Sequence, residues 1–241
     1  MKQFQLNRMY TKGLGIVKMA AAVLVAVSVV GCSGQSPIVS NADRNEIITI
    51  GDSIFDLSGE LQLFLEQKAG QTFRDYTQSG DKMADIDLQY EAAKIDNSVI
   101  ETILMDTGGN DILIPALLFD PQKCKTTWYR KNLSSTCKSF IDDLQVQTSN
   151  MLNKMDTDGV SNVIFLGYYH PKGGKANLTQ AVDYGDTKLG LACNNSIANC
   201  TFLDPRGLIV DADIISDEIH PSTSGSQKLA DLMWPELQPL L

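Results

Sequence analysis

A short apolar run that stops abruptly at a small polar turn constrains this chain most. Residues 47–50 are all apolar or β-branched, which is typical of a strand buried on both faces. Gly51 then allows a sharp turn without a Cβ clash, and Ser53 follows just past the strand's carboxyl end. Open parallel α/β sheets bind their ligands at that edge. An ordinary strand-to-helix turn has the same pattern, so the triplet Gly51-Asp52-Ser53 needs support from the rest of the chain.

Strand-like and helix-like segments alternate through the remaining sequence. This alternation predicts an α/β fold with a parallel sheet covered on both faces, a three-layer α/β/α sandwich. Two segments, 119–139 and 172–206, interrupt the pattern and are interpreted as insertions, the second with short helices. The predicted strands are 47–50, 71–77, 101–105, 160–168 and 208–210, and the predicted helices are 58–69, 87–95, 112–119 in part, 139–155 and 224–232.

The N-terminus has the features of an export signal. Four basic residues precede the apolar run 19–30, which is too short for a bilayer that needs about 20 residues. The end of this run, Gly31-Cys32, resembles the bacterial lipobox, in which the cysteine is lipidated on sulfur and begins the mature chain. A plain cleavage site beside a chance cysteine is the alternative. We therefore expect a lipoprotein signal peptide over 1–31, a tether over 32–45 and one domain over 46–241.

Charge and sequence limit the possible partners of the protein and its location in the cell. Residues 1–31 hold four basic and no acidic side chains, so the remaining 210 residues carry a formal charge of −13 instead of −9. Such a surface disfavours nucleic acid and anionic headgroups as partners. The length suits a single domain, which we expect to be a monomer. Neither Ser33 nor Gly34 is the aspartate that retains similar lipoproteins at the inner membrane, so the resemblance implies the cell envelope and, in a Gram-negative cell, favours the outer membrane.

Four cysteines remain beyond Cys32. They allow three disulfide pairings, and their spacing favours two local loops, Cys124 with Cys137 and Cys193 with Cys200. Each bond would then hold one insertion together. A zinc site is the alternative, but there is no Cys-x-x-Cys spacing and no histidine close to either pair.

Separate turns offer the residue types that ester hydrolysis needs. Ser53 is a weak nucleophile until a base accepts its proton, and Asp217 and His220 can supply an acid and a base from one loop. Fixed donors must then stabilise the negative charge on the carbonyl oxygen. The Ser53 and Gly80 amides and the Asn110 side chain are the candidates. Asn110 could instead form only an Asx-turn, and Asp217 could only cap its loop.

These blocks resemble those of the SGNH, or GDSL-type, serine hydrolases, and they occur in that family's order. The matching blocks are Gly51-Asp52-Ser53, Gly80, Gly108-Gly109-Asn110-Asp111 and Asp217-Glu218-Ile219-His220. The resemblance covers nearly all of the chain after the signal. It implies a flavodoxin-like sandwich with about five parallel strands, a Ser53, Asp217 and His220 triad, and no metal or organic cofactor.

The two histidines limit the choice of base. Only His170 and His220 can serve, and His170 is interpreted as either a substrate contact or a surface or structural residue. Two histidines are too few for a dinuclear metallophosphoesterase, which also uses such turns. A lipid-anchored binding protein without catalysis is a second alternative.

The substrate class is the least constrained expectation. The resemblance allows short-chain esterases, lysophospholipases, thioesterases and polysaccharide deacetylases. Because the chain has no long apolar lid segment, we expect short acyl or acetyl esters as substrates, including esters linked to glycans. A lysophospholipase or thioesterase acting through the same site is the alternative.

Overall fold

The computed structural model describes residues 37–241. The predicted signal peptide, the lipidation site Cys32 and the first part of the tether lie outside these residues. Within the described range, no helix combines the length and the apolar character needed to cross a membrane.

Five parallel strands form the central sheet, in the spatial order β2-β1-β3-β4-β5. This is the flavodoxin-like strand order, whose direction of winding reverses between β1 and β3. The crevice at that reversal is the usual binding site of such folds. The strands are β1 Arg44–Ile50, β2 Phe73–Asp75, β3 Thr102–Met105, β4 Asn162–Leu166 and β5 Cys200–Leu203.

Helices cover both faces of the sheet, which confirms the three-layer α/β/α prediction. On one face pack α3, α5 and α6, and on the other pack α1, α2 and α7. The helices are α1 Ser53–Asp56, α2 Glu60–Ala69, α3 Met83–Asp96, α4 Gly109–Leu118, α5 Ser135–Thr157, α6 Thr179–Asn195 and α7 Thr223–Leu237.

The central strands are apolar on both sides because each face has its own core. In β3, Ile103 and Met105 point into the core under α3 and α5, whereas Leu104 points into the core under α2 and α7. The same alternation holds for Val163 and Ile164 of β4. Strands buried in this way lack the polar positions of half-exposed strands, and this explains the continuous apolar runs in the sequence.

The prediction of a fifth strand at 208–210 is wrong. The fifth strand is β5, and it follows α6 inside the segment interpreted as an insertion with short helices. All four residues of β5 are only partly buried, because an edge strand has one neighbour and little cover. The backbone N–H groups of Leu208 and Ile209 instead donate to the Pro205 carbonyl in a turn, and Ile209 joins the core without pairing to a strand.

Both expected disulfides are present. Cys124 and Cys137 are bonded with their Cα atoms 5.1 Å apart, and Cys193 and Cys200 with theirs 5.4 Å apart. The first bond ties the irregular segment before α5 to the first turn of that helix. The second joins the last turn of α6 to the start of β5, so it connects two regular elements of the fold and not the ends of an insertion.

Candidate active site

The turn after β1 places Ser53 at the sheet edge where the strand order reverses. Asp52 caps α1 by accepting a hydrogen bond from the Ile54 N–H (3.0 Å), and Ser53 begins this short helix. Gly51 is required here because a Cβ atom would overlap the carboxyl group of Asp106. The side chain of Ser53 is 8% exposed, so the hydroxyl lies at the base of a cleft and not on the open surface.

A continuous chain of hydrogen bonds joins three of the predicted site residues. Ser53 Oγ lies 2.8 Å from His220 Nε2, and His220 Nδ1 lies 2.6 Å from Asp217 Oδ2. If Nδ1 carries the ring proton and donates it to the carboxylate, Nε2 is free to accept the serine hydroxyl. The structure therefore brings together side chains that are 167 positions apart in the sequence.

The loop that carries Asp217 and His220 is held by its neighbours. Asp217 Oδ1 accepts the backbone N–H groups of Ile219 (2.9 Å) and His220 (3.0 Å), which leaves Oδ2 for the imidazole. The Tyr169 hydroxyl donates to the Ile219 carbonyl at 2.8 Å, and the Lys172 N–H donates to the Glu218 carbonyl at 3.0 Å. These contacts fix the direction of the imidazole ring before any substrate binds.

Asp217 is set up to stay ionised. Partial burial acts to raise its pKa, but the hydrogen bonds from the His220 ring and from two backbone N–H groups outweigh this effect and lower the pKa below the ordinary value. The carboxylate therefore remains charged at neutral pH and can stabilise a positively charged imidazole.

Gly80 lies in the loop after β2, and Asn110 lies near the start of α4, after β3. Asn110 is in the first turn of α4, and its Nδ2 donates to the Asp81 carbonyl at 3.0 Å, which leaves its second N–H for another acceptor. Gly80 has a φ of +91°, which favours glycine, and is preceded by Ser79, whose N–H donates to Asp56 Oδ2 of α1 at 2.6 Å. Its loop is thus tied to α1 on one side and to Asn110 on the other.

The glycines before Asn110 have separate structural causes. Gly108 has a φ of +89°, a backbone conformation that L side chains rarely adopt. Gly109 is packed against the ring of Tyr168, and a Cβ there would lie 2.5 Å from a ring carbon. The Gly108-Gly109-Asn110 block therefore lets an aromatic ring approach the backbone at the site.

Two buried carboxyl groups lie behind the nucleophile. The Asp52 N–H donates to Asp106 Oδ1 at 2.7 Å, and the Tyr168 hydroxyl donates to Asp52 Oδ2 at 2.8 Å. Burial raises the pKa of both carboxyls, and the negative charge of Asp52 raises the pKa of Asp106 further, well above its ordinary value. Burial and the neighbouring carboxylate therefore both favour the protonated form of Asp106.

Sequence reasoning missed Asp106. The position of Asp106 was the available signal, because it follows the end of β3 just as Asp52 closely follows the end of β1. Polar residues at the carboxyl ends of adjacent parallel strands meet at one edge of the sheet.

An apolar cleft opens beside Ser53. Its empty volume is about 850 Å³, which includes the open space at the mouth, and it extends between α4, α5 and α6. Ser53 and Asn110 line its polar end, whereas Gly80 is not among its lining residues. Sequence reasoning did not find the wall formed by α6, because this helix lies in the segment interpreted as an insertion.

The contacts of His170 differ from those of His220. Its Nε2 lies 2.8 Å from Asp183 Oδ1, and Arg206 reaches the same carboxylate at 3.2 Å. His170 does not line the cleft. Of the two earlier interpretations, this geometry favours the structural role. Across residues 37–241, no group of three or more His, Cys, Asp or Glu side chains is arranged to hold a metal ion.

The fold and the hydrogen-bonded serine, imidazole and carboxylate define an SGNH-type α/β/α sandwich. Solved structures support the fold. An acetylxylan esterase from Geobacillus stearothermophilus superposes with a TM-score of 0.58 at 16% identity, over 79% of this chain and 93% of that one. A carbohydrate esterase of family 3 from Talaromyces cellulolyticus gives 0.59 at 17% identity, over 80% and 96%.

A third neighbour is a protein from Desulfitobacterium hafniense described as belonging to the lipolytic G-D-S-L family. It superposes with a TM-score of 0.55 at 14% identity, over 78% of this chain and 97% of that one. No family model and no curated protein matches the sequence. At these identities the likeness establishes the fold, so the resemblance to SGNH hydrolases is confirmed at that level.

Proposed function

We propose that this protein is a serine ester hydrolase that cleaves carboxylic esters through an acyl-enzyme at Ser53. The observation that carries the proposal is the unbroken contact from Ser53 Oγ through the His220 ring to Asp217. A hydroxyl, an imidazole and an ionised carboxylate in this order form the arrangement that activates a serine for acyl transfer.

The first half of the reaction forms the acyl-enzyme. As Ser53 Oγ attacks the ester carbonyl carbon, its proton passes to His220 Nε2, and Asp217 stabilises the resulting imidazolium. The carbonyl oxygen becomes an oxyanion that accepts hydrogen bonds from the Ser53 and Gly80 N–H groups and from Asn110 Nδ2. His220 then gives its proton to the departing alkoxide, and the bond between the carbonyl carbon and the alcohol oxygen breaks.

The second half of the reaction hydrolyses the acyl-enzyme and regenerates the free enzyme. His220 takes a proton from water as the hydroxide attacks the acyl carbon, and then protonates Ser53 Oγ as the carboxylic acid leaves. Each oxyanion donor of this kind contributes about 10²–10³ in kcat, so Gly80 and Asn110 are required parts of the site. No step in this sequence needs a cofactor.

Acetyl or other short acyl esters, including those on glycans, are the first candidate substrates that we propose. The sequence led to this expectation, and two structural neighbours are carbohydrate esterases, one of them an acetylxylan esterase. Lysophospholipase or thioesterase action through the same site is the second candidate, and the apolar cleft favours it.

A fluorophosphonate probe and p-nitrophenyl acetate test the reaction. We expect the probe to label Ser53, as located by peptide mass spectrometry, and the ester to be hydrolysed. Ser53→Ala removes both signals, while Ser79→Ala is a control for the general reactivity of serine, since Ser79 is also near the site. A folded protein that is neither labelled nor active would instead support a binding protein without catalysis.

We also propose that the protein is anchored in the cell envelope by lipid on Cys32, with the outer membrane as the favoured location. The basic and apolar N-terminal pattern and the Gly31-Cys32 junction support this proposal. Metabolic labelling with an alkyne fatty acid in a Gram-negative host tests it, with Cys32→Ala as the control. Equal labelling of both proteins would contradict the proposal.

A further inference from the structure

The cleft beside Ser53 is apolar along its whole inner wall. Three helices supply this wall, and they meet on the side of the sheet that carries α5 and α6. The side chains that form it are aliphatic: Ile112, Leu113, Ile141, Leu144, Val182 and Leu189. An acetyl group has a single methyl carbon and would leave most of this surface in contact with water. The wall therefore suits a longer aliphatic group.

Ionisable side chains at the cleft already have partners. Lys188 forms an ion pair with Asp142 at 2.6 Å, and both oxygens of the buried Asp186 accept the Tyr168 N–H at 3.0 and 3.1 Å. A polar ligand would find few unsatisfied groups along this wall, whereas an aliphatic chain would displace water without breaking a hydrogen bond.

The inner end of the cleft is rigidly built. Ile141, Leu178 and Ala181 belong both to the cleft wall and to a separate apolar cluster, which contains the Cys124–Cys137 disulfide. The bond ties the first turn of α5 to the segment after α4. The disulfide therefore supports this part of the cleft wall.

Gly185 marks unfilled space in this wall. It is buried in the middle of α6 and lines the cleft, yet a Cβ atom built there would meet no atom within 4 Å. By contrast, a Cβ at Gly190 on the same helix would lie 3.2 Å from the Phe202 ring, which is a tight contact. Glycine weakens a helix interior, so neither backbone nor packing explains Gly185.

We propose that this cleft binds an unbranched aliphatic chain of the ester, several carbons longer than acetyl, and that Gly185 determines the chain length. The proposal rests on the proposed serine ester hydrolysis and, among the candidate substrates, favours esters with a longer aliphatic chain over acetyl esters. The chain belongs to either the acyl or the alcohol side of the ester, and both have the same chemistry. Hydrophobic transfer of one methylene corresponds to about a fourfold gain in affinity, so four extra methylenes are expected to raise kcat/KM on the order of a hundredfold.

Two ester series test the proposal on the full mature chain with its disulfides intact. One consists of p-nitrophenyl esters from acetate to dodecanoate, and the other of acetates of alcohols from ethanol to decanol. We expect kcat/KM to rise with chain length over several carbons in one series and then to fall. The series that rises identifies the side of the ester that occupies the cleft. A maximum at the shortest member of both series would overturn the proposal.

Substitution at Gly185 gives the decisive comparison. Gly185→Val fills the space beside Gly185. We therefore compare two values of kcat/KM, one for the eight-carbon ester and one for the two-carbon ester. We expect the variant to lower the ratio of the first to the second by at least about tenfold. Gly185→Ala, which suits a helix, should lower the same ratio less and serves if the valine variant folds poorly. Thr187→Val, two residues along α6 and exposed, is the matched control and leaves the ratio unchanged. An equal ratio in all four proteins would contradict the role of Gly185.

A binding measurement separates this proposal from the proposed function. If no ester is hydrolysed, the proposed function fails, and calorimetric titration of 1-octanol into the Ser53→Ala variant still tests the cleft. We expect binding that Gly185→Val weakens about tenfold and that Thr187→Val does not change. Absence of octanol binding, or an octanol affinity that Gly185→Val does not change, would overturn the proposal.

Discussion

Two imidazole–carboxylate pairs lie in this protein, and they differ in their third partner. His220 Nδ1 is 2.6 Å from Asp217, and its other ring nitrogen meets the hydroxyl of Ser53. His170 is 2.8 Å from Asp183, but the third group there is Arg206, which shares the same carboxylate. A histidine beside an aspartate is therefore not enough for catalysis. The pair needs a hydroxyl on the far side of the ring and a carboxylate that no permanent cation neutralises.

The carboxyl groups around the two pairs also differ. Hydrogen bonds keep the pKa of the half-exposed Asp217 below its usual value despite its partial burial. Near the second pair, burial raises the pKa of Asp186 to about 8, although Arg206 lies 3.7 Å away and acts in the opposite direction. The difference shows that the balance between desolvation and donated hydrogen bonds sets the charge of each aspartate.

Substituting each histidine in turn is the strongest test of the difference between the two pairs. We expect His220→Ala to lower kcat for p-nitrophenyl acetate by about 10⁴–10⁶, because the serine then has no base. His170→Ala should leave activity within about threefold, since its ring contacts neither Ser53 nor the cleft. Steady-state kinetics on both variants, with circular dichroism to verify folding, checks this. A reversed order would make His170 the base.

Neutralising each aspartate partner is the next test. Asp217→Asn should lower kcat by about 10³–10⁴, because the amide can neither stabilise the imidazolium nor fix the ring tautomer. The matched variant Asp183→Asn should change kcat less than twofold. Equal losses in the two variants would show that both pairs serve the reaction.

Asp186, which lies near the second pair, makes the free energy of unfolding depend on pH. Between about pH 4 and pH 8, the unfolded chain has released the Asp186 proton while the folded protein keeps it, so this residue makes the free energy of unfolding fall as pH rises. The fall is at most about 1.4 kcal/mol per pH unit. Asp186→Asn removes this contribution and still offers an oxygen to the Tyr168 N–H.

Urea unfolding at pH 5 and pH 8 under non-reducing conditions measures the effect. We expect wild type to lose on the order of 3 kcal/mol more than Asp186→Asn between these two pH values. Asp183→Asn, on the exposed side of the same helix, should behave like wild type. Parallel stability curves for wild type and Asp186→Asn would mean that Asp186 is ionised in the folded protein.

The smallest expected effect concerns the stability contribution of the second pair. The side chains of His170 and Asp183 are 38% and 50% exposed, and such surface ion pairs contribute about 0–1 kcal/mol. His170→Gln should therefore lower the free energy of unfolding by less than about 1 kcal/mol at neutral pH, as measured by urea denaturation. A larger loss would show that the pair organises the loop after β4.

The sequence allowed accurate prediction where the signal is local. The buried parts of β1, β3 and β4 are mainly apolar because both of their faces are covered, and the turns that follow them carry their small and polar residues in consecutive positions. The position of β5 could not be found in the same way. Its four residues, with the polar Thr201 among them, are only partly buried at the sheet edge, whereas 208–210 is an unbroken apolar run in which only Ile209 is buried.

Long-range contacts explain the remaining misses. Gly185 is one glycine among 18 in the sequence, and the space around it exists only because α4, α5 and α6 pack around a gap. The pairing of His170 with Asp183 likewise depends on how the loop after β4 packs against α6. Neither feature has a signature in the residues next to it.

The sequence by itself determined a parallel α/β sandwich, with Ser53, Gly80, Asn110 and the Asp217–His220 loop each at the end of an element. These features depend on neighbouring residues, since backbone turns and apolar periodicity are local properties. Only the tertiary structure decided which histidine meets the serine, which aspartates have a raised pKa, and that an aliphatic cleft adjoins the nucleophile. Those outcomes depend on distance and burial, which arise only when parallel strands bring remote turns to one edge of the sheet.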